Sequence, residues 1–268
     1  MYFLNKMIGF SVKNVLKSLI WRLGFEVKYP AEPIYIDKMN LERAKLIVQG
    51  HTMLSHTCMT SLADQVAYCN ISNIPGAFVE CGVWKGGAVA LMAYINTITG
   101  REDRELHLLD AFTDICAPDP SVDGAKALAE TEKFGSYQDG EIRSLDGIYN
   151  SKGGHGTIED CTTVIVDKAR YPDKHVHFYP GWFQDTALPA SKSIGKIALL
   201  RLDGDWYEST KVCLEAFYDN VVSGGIIVID DYLAYEGCRK AVDEFLLSRG
   251  IRVFLGRVDT VCYYFIKP

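Results

Sequence analysis

At 268 residues, with 48% hydrophobic and 23% charged residues, the chain has the make-up of one ordinary globular core with additions, which excludes a disordered chain and requires no membrane span. A formal net charge of −6 argues against a nucleic-acid-binding surface and leaves a small-molecule partner. The eight cysteines are scattered without a CxxC pair, the distribution of reduced, buried thiols in a cytoplasmic protein rather than of a disulfide framework or a zinc site.

Residues 3 to 23 place apolar side chains at helical spacing, with Lys6, Lys13, Lys17 and Arg22 between them. No unbroken apolar stretch there suits a cleavable signal. The segment reads as a helix packed on the domain or on a second subunit, with peripheral contact to an anionic membrane surface as the alternative. Helices follow between Leu41 and Cys69, interrupted near Gly50-His51-Thr52, and are expected to cap one end of a sheet. His51 and His56 stand five apart, which suits surface or hydrogen-bonding residues better than paired ligands. Residues 1–70 are thus expected as a helical extension and 71–268 as the main domain.

That domain opens with a strand, Ala77 to Gly82, a glycine-rich turn, Val83-Trp84-Lys85-Gly86-Gly87, a helix to Ile98 and a second strand, Leu106 to Asp110. The order strand, glycine turn, helix, strand, acid is that of a nucleoside-binding half-fold. Residues 111–160 break the rhythm with Pro118, Pro120 and repeated Asp-Gly and Gly-Gly signals. An insertion of that length suits a lid or substrate-binding segment, and its composition is compatible with disorder in the free protein. His155, among glycines, reads as a mobile surface residue. A helix from Ile158 to Lys168 and a strand from His175 to Tyr179 resume the alternation. The run Ile197 to Leu202, a helix from Ser209 to Asn220, the run Gly225 to Ile229 and a helix from Cys238 to Arg249 continue it. Arg252 to Leu255 and Val261 to Ile266 read as an antiparallel hairpin at the sheet edge.

Two apolar runs end in acids: Asp203-Gly204-Asp205 and Asp230-Asp231. Asp203, Asp230 and Asp231 offer hard oxygen donors from two strand ends, a set that suits Mg²⁺, Mn²⁺ or Ca²⁺. Asp205 can point into the same cleft outside the ligand set, and Gly204 is expected to leave room for substrate oxygens. The glycine turn is neither GxGxxG nor a P-loop, which disfavours a pyrophosphate ligand. Its acid, its glycines and Asp110 fit a ligand with an amino-acid part and a ribose, as S-adenosylmethionine has. Glu80, Gly82, Trp84, Gly86, Gly87 and Asp110, with Asp203 at the neighbouring strand end, are the candidate cofactor-binding residues. A cation that holds two neighbouring hydroxyls acidifies the one to be modified, and a nearby carboxylate takes its proton.

Together, Phe78 to Gly87, Gly181-Trp-Phe-Gln-Asp-Thr-Ala-Leu-Pro, Leu200 to Thr210 and Gly224 to Tyr232 resemble the macrocin O-methyltransferase family over roughly residues 40 to 265. The resemblance implies a Rossmann-like class I methyltransferase fold: a mostly parallel seven-stranded sheet with a C-terminal antiparallel hairpin, a helical N-terminal extension and a lid insertion. It implies S-adenosylmethionine- and magnesium-dependent methylation of a sugar hydroxyl on a glycosylated natural product, and a dimer or larger homo-oligomer. Asp203, Asp230 and Asp231 match that family's metal ligands, and Asp205 the residue proposed as its base. Ala187 departs from the more usual Asp-Thr-Leu-Pro run, and residues 113–157 show no match to the family that the motifs place. A cell-surface glycan fits as acceptor too. The competing readings are a catechol or caffeoyl-type methyltransferase and a non-catalytic scaffold that binds an adenosyl ligand. A nicotinamide-dependent oxidoreductase lacks its glycine fingerprint and its Tyr-x-x-x-Lys pair.

Overall fold

A computed structural model describes residues 33–138 and 141–268, so the amphipathic segment over residues 3 to 23 lies outside the described residues. The strands are Ala77–Cys81 (β1), Leu106–Asp110 (β2), Val176–Pro180 (β3), Ile197–Leu202 (β4), Val221–Ile229 (β5), Gly256–Arg257 (β6) and Tyr263–Ile266 (β7). They pair in the order β3-β2-β1-β4-β5-β7-β6. β1 to β5 run parallel, and β7 lies antiparallel against both β5 and β6. Every residue of β1 and β4 is buried, which is why their sequences are apolar throughout except for Glu80 and Arg201, rather than alternating. The strand order reverses between β1 and β4, and open α/β sheets bind ligands outside the strand ends at such a point.

Lys38–Val48 (α1), His56–Ile71 (α2) and Gly87–Ile98 (α3) cover one face of the sheet. Asp37 caps α1, accepting from the Asn40 amide, and Ser55 caps α2, accepting from the Cys58 amide. The first two helices therefore add to a face of the sheet rather than cap its end: Leu41, Ala44, Leu62 and Val66 share a core with Phe78, Leu199 and Val228. Gly124–Thr131 (α4) lies in the long insertion, and Ile158–Thr162 (α5) runs on into a π-helical turn over Thr163–Lys168. Phe183–Ile194 (α6), Tyr207–Phe217 (α7) and Glu236–Ser248 (α8) cover the other face, around Val79, Leu200 and Ile227. No helix among the described residues is long and apolar enough to cross a membrane.

Two elements differ from their sequence expectation. α6 runs straight through Pro189, where no helix was expected; buried Ala187 and Ala190 hold that turn against the core despite the lost backbone hydrogen bond. The terminal hairpin is shorter than its pattern, because β7 spans four residues, pairs first with β5 and leaves only Gly256 and Arg257 a partner. Val253 and Leu255 still pack on the core from outside any ladder.

Gly82 sets the distance between β1 and β4. Its φ is +89°, and a Cβ there would stand 1.7 Å from the carbonyl oxygen of Asp203, a residue whose amide is held by the Cys81 carbonyl. Gly82→Ala is expected to cost about 2–5 kcal/mol of stability from backbone strain and overpacking combined, read as a lowered urea midpoint. A midpoint equal to that of the unaltered chain would show that the strand ends can part freely.

Candidate active site

Successive side chains of a strand point to opposite faces, and this alternation gathers the acids. Phe78, Leu199 and Val228 face the α1–α3 side, while Val79, Leu200, Leu202 and Ile229 face the other. Glu80, Arg201, Asp203 and Asp230 therefore fall on the α1–α3 side, and register places Glu80 beside Arg201 and Arg201 beside Val228. Arg201 is 2% exposed. Its Nη1 donates to Glu80 Oε1 and, at 2.7 Å, to Asp203 Oδ2. Its Nη2 lies 2.6 Å from Asp230 Oδ1. A guanidinium in the middle of a sheet survives only with counter-charges, and here it has three. Nothing in the sequence reading singled out Arg201, although a charged residue inside Leu199-Leu200-Arg201-Leu202 was the available signal.

Asp203, Asp230 and Asp231 bring one carboxylate oxygen each to within 4.8 Å of one another. Glu80 Oε2 and Asp231 Oδ2 are buried and make no hydrogen bond among the described residues, and Asp230 Oδ1 has only the charge of Arg201 beside it. Three carboxyls, those of Glu80, Asp203 and Asp230, thus meet one guanidinium, and those of Asp205 and Asp231 join the same cleft. Burial pushes Glu80 up to about 8 against the pull of Arg201, and pushes Asp230 up to about 6. Asp205 and Asp231 are pushed well above the usual carboxylate range, by burial first and by the neighbouring acids next. The orphaned oxygens, the hard donor set and the surplus of negative charge all fit a divalent cation.

Asp110 fastens the glycine turn. Its Oδ2 accepts from the amides of Val83, at 2.6 Å, and Trp84, at 3.0 Å, and its Oδ1 from that of Phe112, at 2.7 Å. Trp84, Phe112 and Asp205, each just past a strand end, have φ of 47°, 52° and 58°, a left-handed backbone that such residues keep only under constraint. Glu80, Gly82, Trp84, Asp110, Asp203, Asp205, Asp230 and Asp231 line one cleft of about 370 Å³, within the usual range for a small-molecule site.

Gly86 and Gly87 stand outside that lining. Their amides donate to the carbonyls of Val83 and His51, and a Cβ at either would strike Cys161 or the His51 backbone. These two glycines let α3 meet its protein neighbours. Gly204 likewise lies against Ser209 and Phe183, so its smallness serves packing as well as access.

The insertion is fastened at both ends of the cleft, not loose. The Trp84 indole donates to the Gly154 carbonyl at 3.2 Å, Lys85 Nζ donates to that of Gly153 at 2.9 Å, and Gly156 packs on the Trp84 carbonyl. On the other side Asp123 accepts from the Tyr207 amide at 2.7 Å and so caps α7 from outside. It brings Cys116, Glu130 and Tyr149 to the cleft, facing Trp206 and Tyr235. His155 is exposed and outside the lining, in keeping with the sequence reading. Of the two expectations for His51, surface or hydrogen-bonding, the second fits: it lines the cleft, with Nε2 at 2.8 Å from Lys168 Nζ and a buried Nδ1 that has no hydrogen-bond partner among the described residues. The 117 residues between His51 and Lys168 hid that pairing.

The family model described as macrocin-O-methyltransferase matches residues 38–137 and 166–267, and the unmatched stretch falls in the insertion and α5. The chain is 32% identical over 211 residues to a demethyldecarbamoylnovobiocin O-methyltransferase of Streptomyces niveus, covering 79% of this chain and 73% of that one. It is 29% identical over 255 residues to an 8-demethyl-8-(2,3-dimethoxy-alpha-L-rhamnosyl)-tetracenomycin-C 4'-O-methyltransferase of Streptomyces olivaceus, covering 92% and 87%. Among solved structures, the O-methyltransferase NovP aligns with a TM-score of 0.66 at 30% identity, over 84% of this chain and 88% of that one. With the sheet order, the glycine turn and both acid pairs inside the matched regions, the chain belongs to the macrocin O-methyltransferase family.

Proposed function

We propose that this protein moves a methyl group from S-adenosylmethionine to a sugar hydroxyl of a glycosylated small molecule, with a magnesium-class cation held by Asp203, Asp230 and Asp231. The observation that carries the reading is the convergence of those three carboxylates, two with orphaned oxygens, beside Asp205 in one cleft. The tetracenomycin relative is named for the 4'-O position of a rhamnosyl-bearing substrate, which supports a sugar as acceptor.

Glu80, Gly82, Trp84 and Asp110 hold the methyl donor. Asp110 offers its carboxylate to the ribose hydroxyls, and its three amide contacts keep it in place. Asp205 accepts the proton of the acceptor hydroxyl. When bound, the cation offsets the surplus negative charge and polarises neighbouring hydroxyl oxygens of the acceptor. Tyr149, Trp206 and Tyr235 present rings with apolar faces and polar tips, a surface on which a sugar can lie. The insertion over 111–160 excludes water from the transfer.

Methyl transfer from S-adenosylmethionine to a panel of glycosides and catechols, run with Mg²⁺ and with chelator, tests the assignment. Turnover of a glycoside that stops on chelation and returns with Mg²⁺ is expected. Preference for catechols would move the acceptor to the aromatic class, and no transfer to any acceptor would leave a binding scaffold.

Asp205→Asn is expected to lower kcat by roughly a hundred- to ten-thousand-fold, while Mg²⁺ and S-adenosylmethionine affinities measured by calorimetry stay unchanged. Near-normal turnover would remove Asp205 as the base.

The carboxyls also set a pH dependence. Folded values of about 8 for Glu80 and about 6 for Asp230 lie above the ordinary 4.5 and 3.8, so the folded state holds more protons than the unfolded one in between. Stability of the chelated protein is expected to fall as pH rises from about 5 to about 8, and Mg²⁺ is expected to flatten the curve. A melting temperature that rises over this range without cation would contradict the charge surplus.

A further inference from the structure

Asp230 also belongs to a second group of donors. Cys58 Sγ, Cys262 Sγ and an Asp230 carboxylate oxygen all lie within 4.8 Å of one another. Both cysteines are buried, at 6% and 2% exposure, and they come from separate elements. Cys58 is in the first turn of α2, Cys262 directly precedes β7, and Asp230 ends β5. A second carboxylate stands beside Cys58. Asp259 Oδ2 accepts from Cys58 Sγ at 3.0 Å and from Ser55 Oγ at 2.9 Å. Its Oδ1 accepts from the amides of Val261 and Cys262, which fixes the carboxylate over the thiols.

This set differs in kind from Asp203, Asp230 and Asp231. Magnesium takes oxygen donors and leaves thiolates aside, whereas Zn²⁺ and Cd²⁺ accept sulfur and carboxylate oxygen in a tetrahedron. With Zn–S near 2.3 Å and Zn–O near 2.1 Å, tetrahedral donor atoms stand roughly 3.4–3.8 Å apart, so three atoms already within 4.8 Å of one another need close by at most about 1–1.4 Å. We propose that Cys58, Cys262 and Asp230 form a second cation site, selective for thiophilic divalent ions, that shares Asp230 with the hard site and has the Asp259 carboxylate beside Cys58 as its nearest further donor. Binding releases the two thiol protons to solvent and draws Asp230 toward the sulfurs. A soft cation therefore inhibits methyl transfer by taking a ligand from the magnesium-class ion. The site itself stands on the sulfur pair; only this competition rests on the function proposed above.

The probe is Cd²⁺, titrated into the full-length, reduced protein in excess Mg²⁺ and followed by thiolate-to-cadmium charge-transfer absorbance, which oxygen donors do not give. A saturable band at about one Cd²⁺ per chain is expected. Cys58→Ser and Cys262→Ser should each weaken binding by roughly tenfold or more, and the double variant should abolish the band with the other six cysteines in place. Asp259→Asn should keep the band at roughly tenfold lower affinity. Cadmium NMR of the unaltered chain should report two sulfur donors, a result that does not depend on any variant folding. A full band in the double variant, an all-oxygen cadmium shift, or a Cys58–Cys262 disulfide in the isolated protein would each overturn the site. A band without loss of Mg²⁺-dependent turnover would overturn the competition alone. Failure of methyl transfer in metal-replete protein would count against the proposed function and leave the band untouched.

Discussion

The buried guanidinium of Arg201 is the constraint on which the rest of the site depends. One cation at the centre of the sheet cannot be left without partners, and its partners are supplied by β1, by the end of β4 itself and by the end of β5. It ties three neighbouring strands at the point where the strand order reverses. The carboxyls outnumber it, however: the three it contacts already exceed its charge, and Asp205 and Asp231 add to the surplus. Such a cluster carries a surplus of negative charge that a divalent ion would reduce. The sheet thus builds a framework around a fixed monovalent charge.

That framework requires close approach of backbone to backbone. Gly82 lies against the Asp203 carbonyl, Gly87 against that of His51, and Gly156 against that of Trp84. Each contact brings a different part of the chain to the cleft: the end of β4, the segment before α2, and the tail of the insertion. The glycine turn is therefore a junction, and Asp110 holds it by accepting from three amides at once. Its carboxylate is pushed up by burial and pulled back by those amides, which in the function proposed above would keep it in place for ribose hydroxyls.

Much of this was legible in the sequence, for a local reason. Apolar runs that end in acids mark strand ends in an α/β chain, so Asp110, Asp203, Asp205, Asp230 and Asp231 could be placed near one another without coordinates. What stayed hidden depends on register and on contacts between distant segments. Arg201 is visible as a charge in an apolar run, but that Glu80 lies beside it follows only from how β1 aligns with β4. Pro189 argues against any helix over Phe183–Ile194 until buried Ala187 and Ala190 overrule it. The insertion looks loose because its fastenings, Trp84 to Gly154 and Asp123 to Tyr207, join residues 70 and 84 positions apart. Cys58 and Cys262 carry no spacing signal for the same reason, and chain order alone made them two unrelated thiols.

The two roles of the Asp203-Gly204-Asp205 stretch separate on geometry. Asp203 continues the alternation of β4, points to the α1–α3 face and is held by Arg201, so its carboxylate is oriented and charge-compensated before any ion arrives. Asp205 lies past the strand in a left-handed backbone, away from the guanidinium, and burial and its acidic neighbours raise its carboxyl. In the function proposed above, a ligand is held in place beforehand and a base takes its proton in the cleft. A cation held beside Asp203 would lower the proton affinity of Asp205 by offsetting the like-charge repulsion that adds to burial in raising it. Ligation and proton transfer would then be coupled through one electrostatic field.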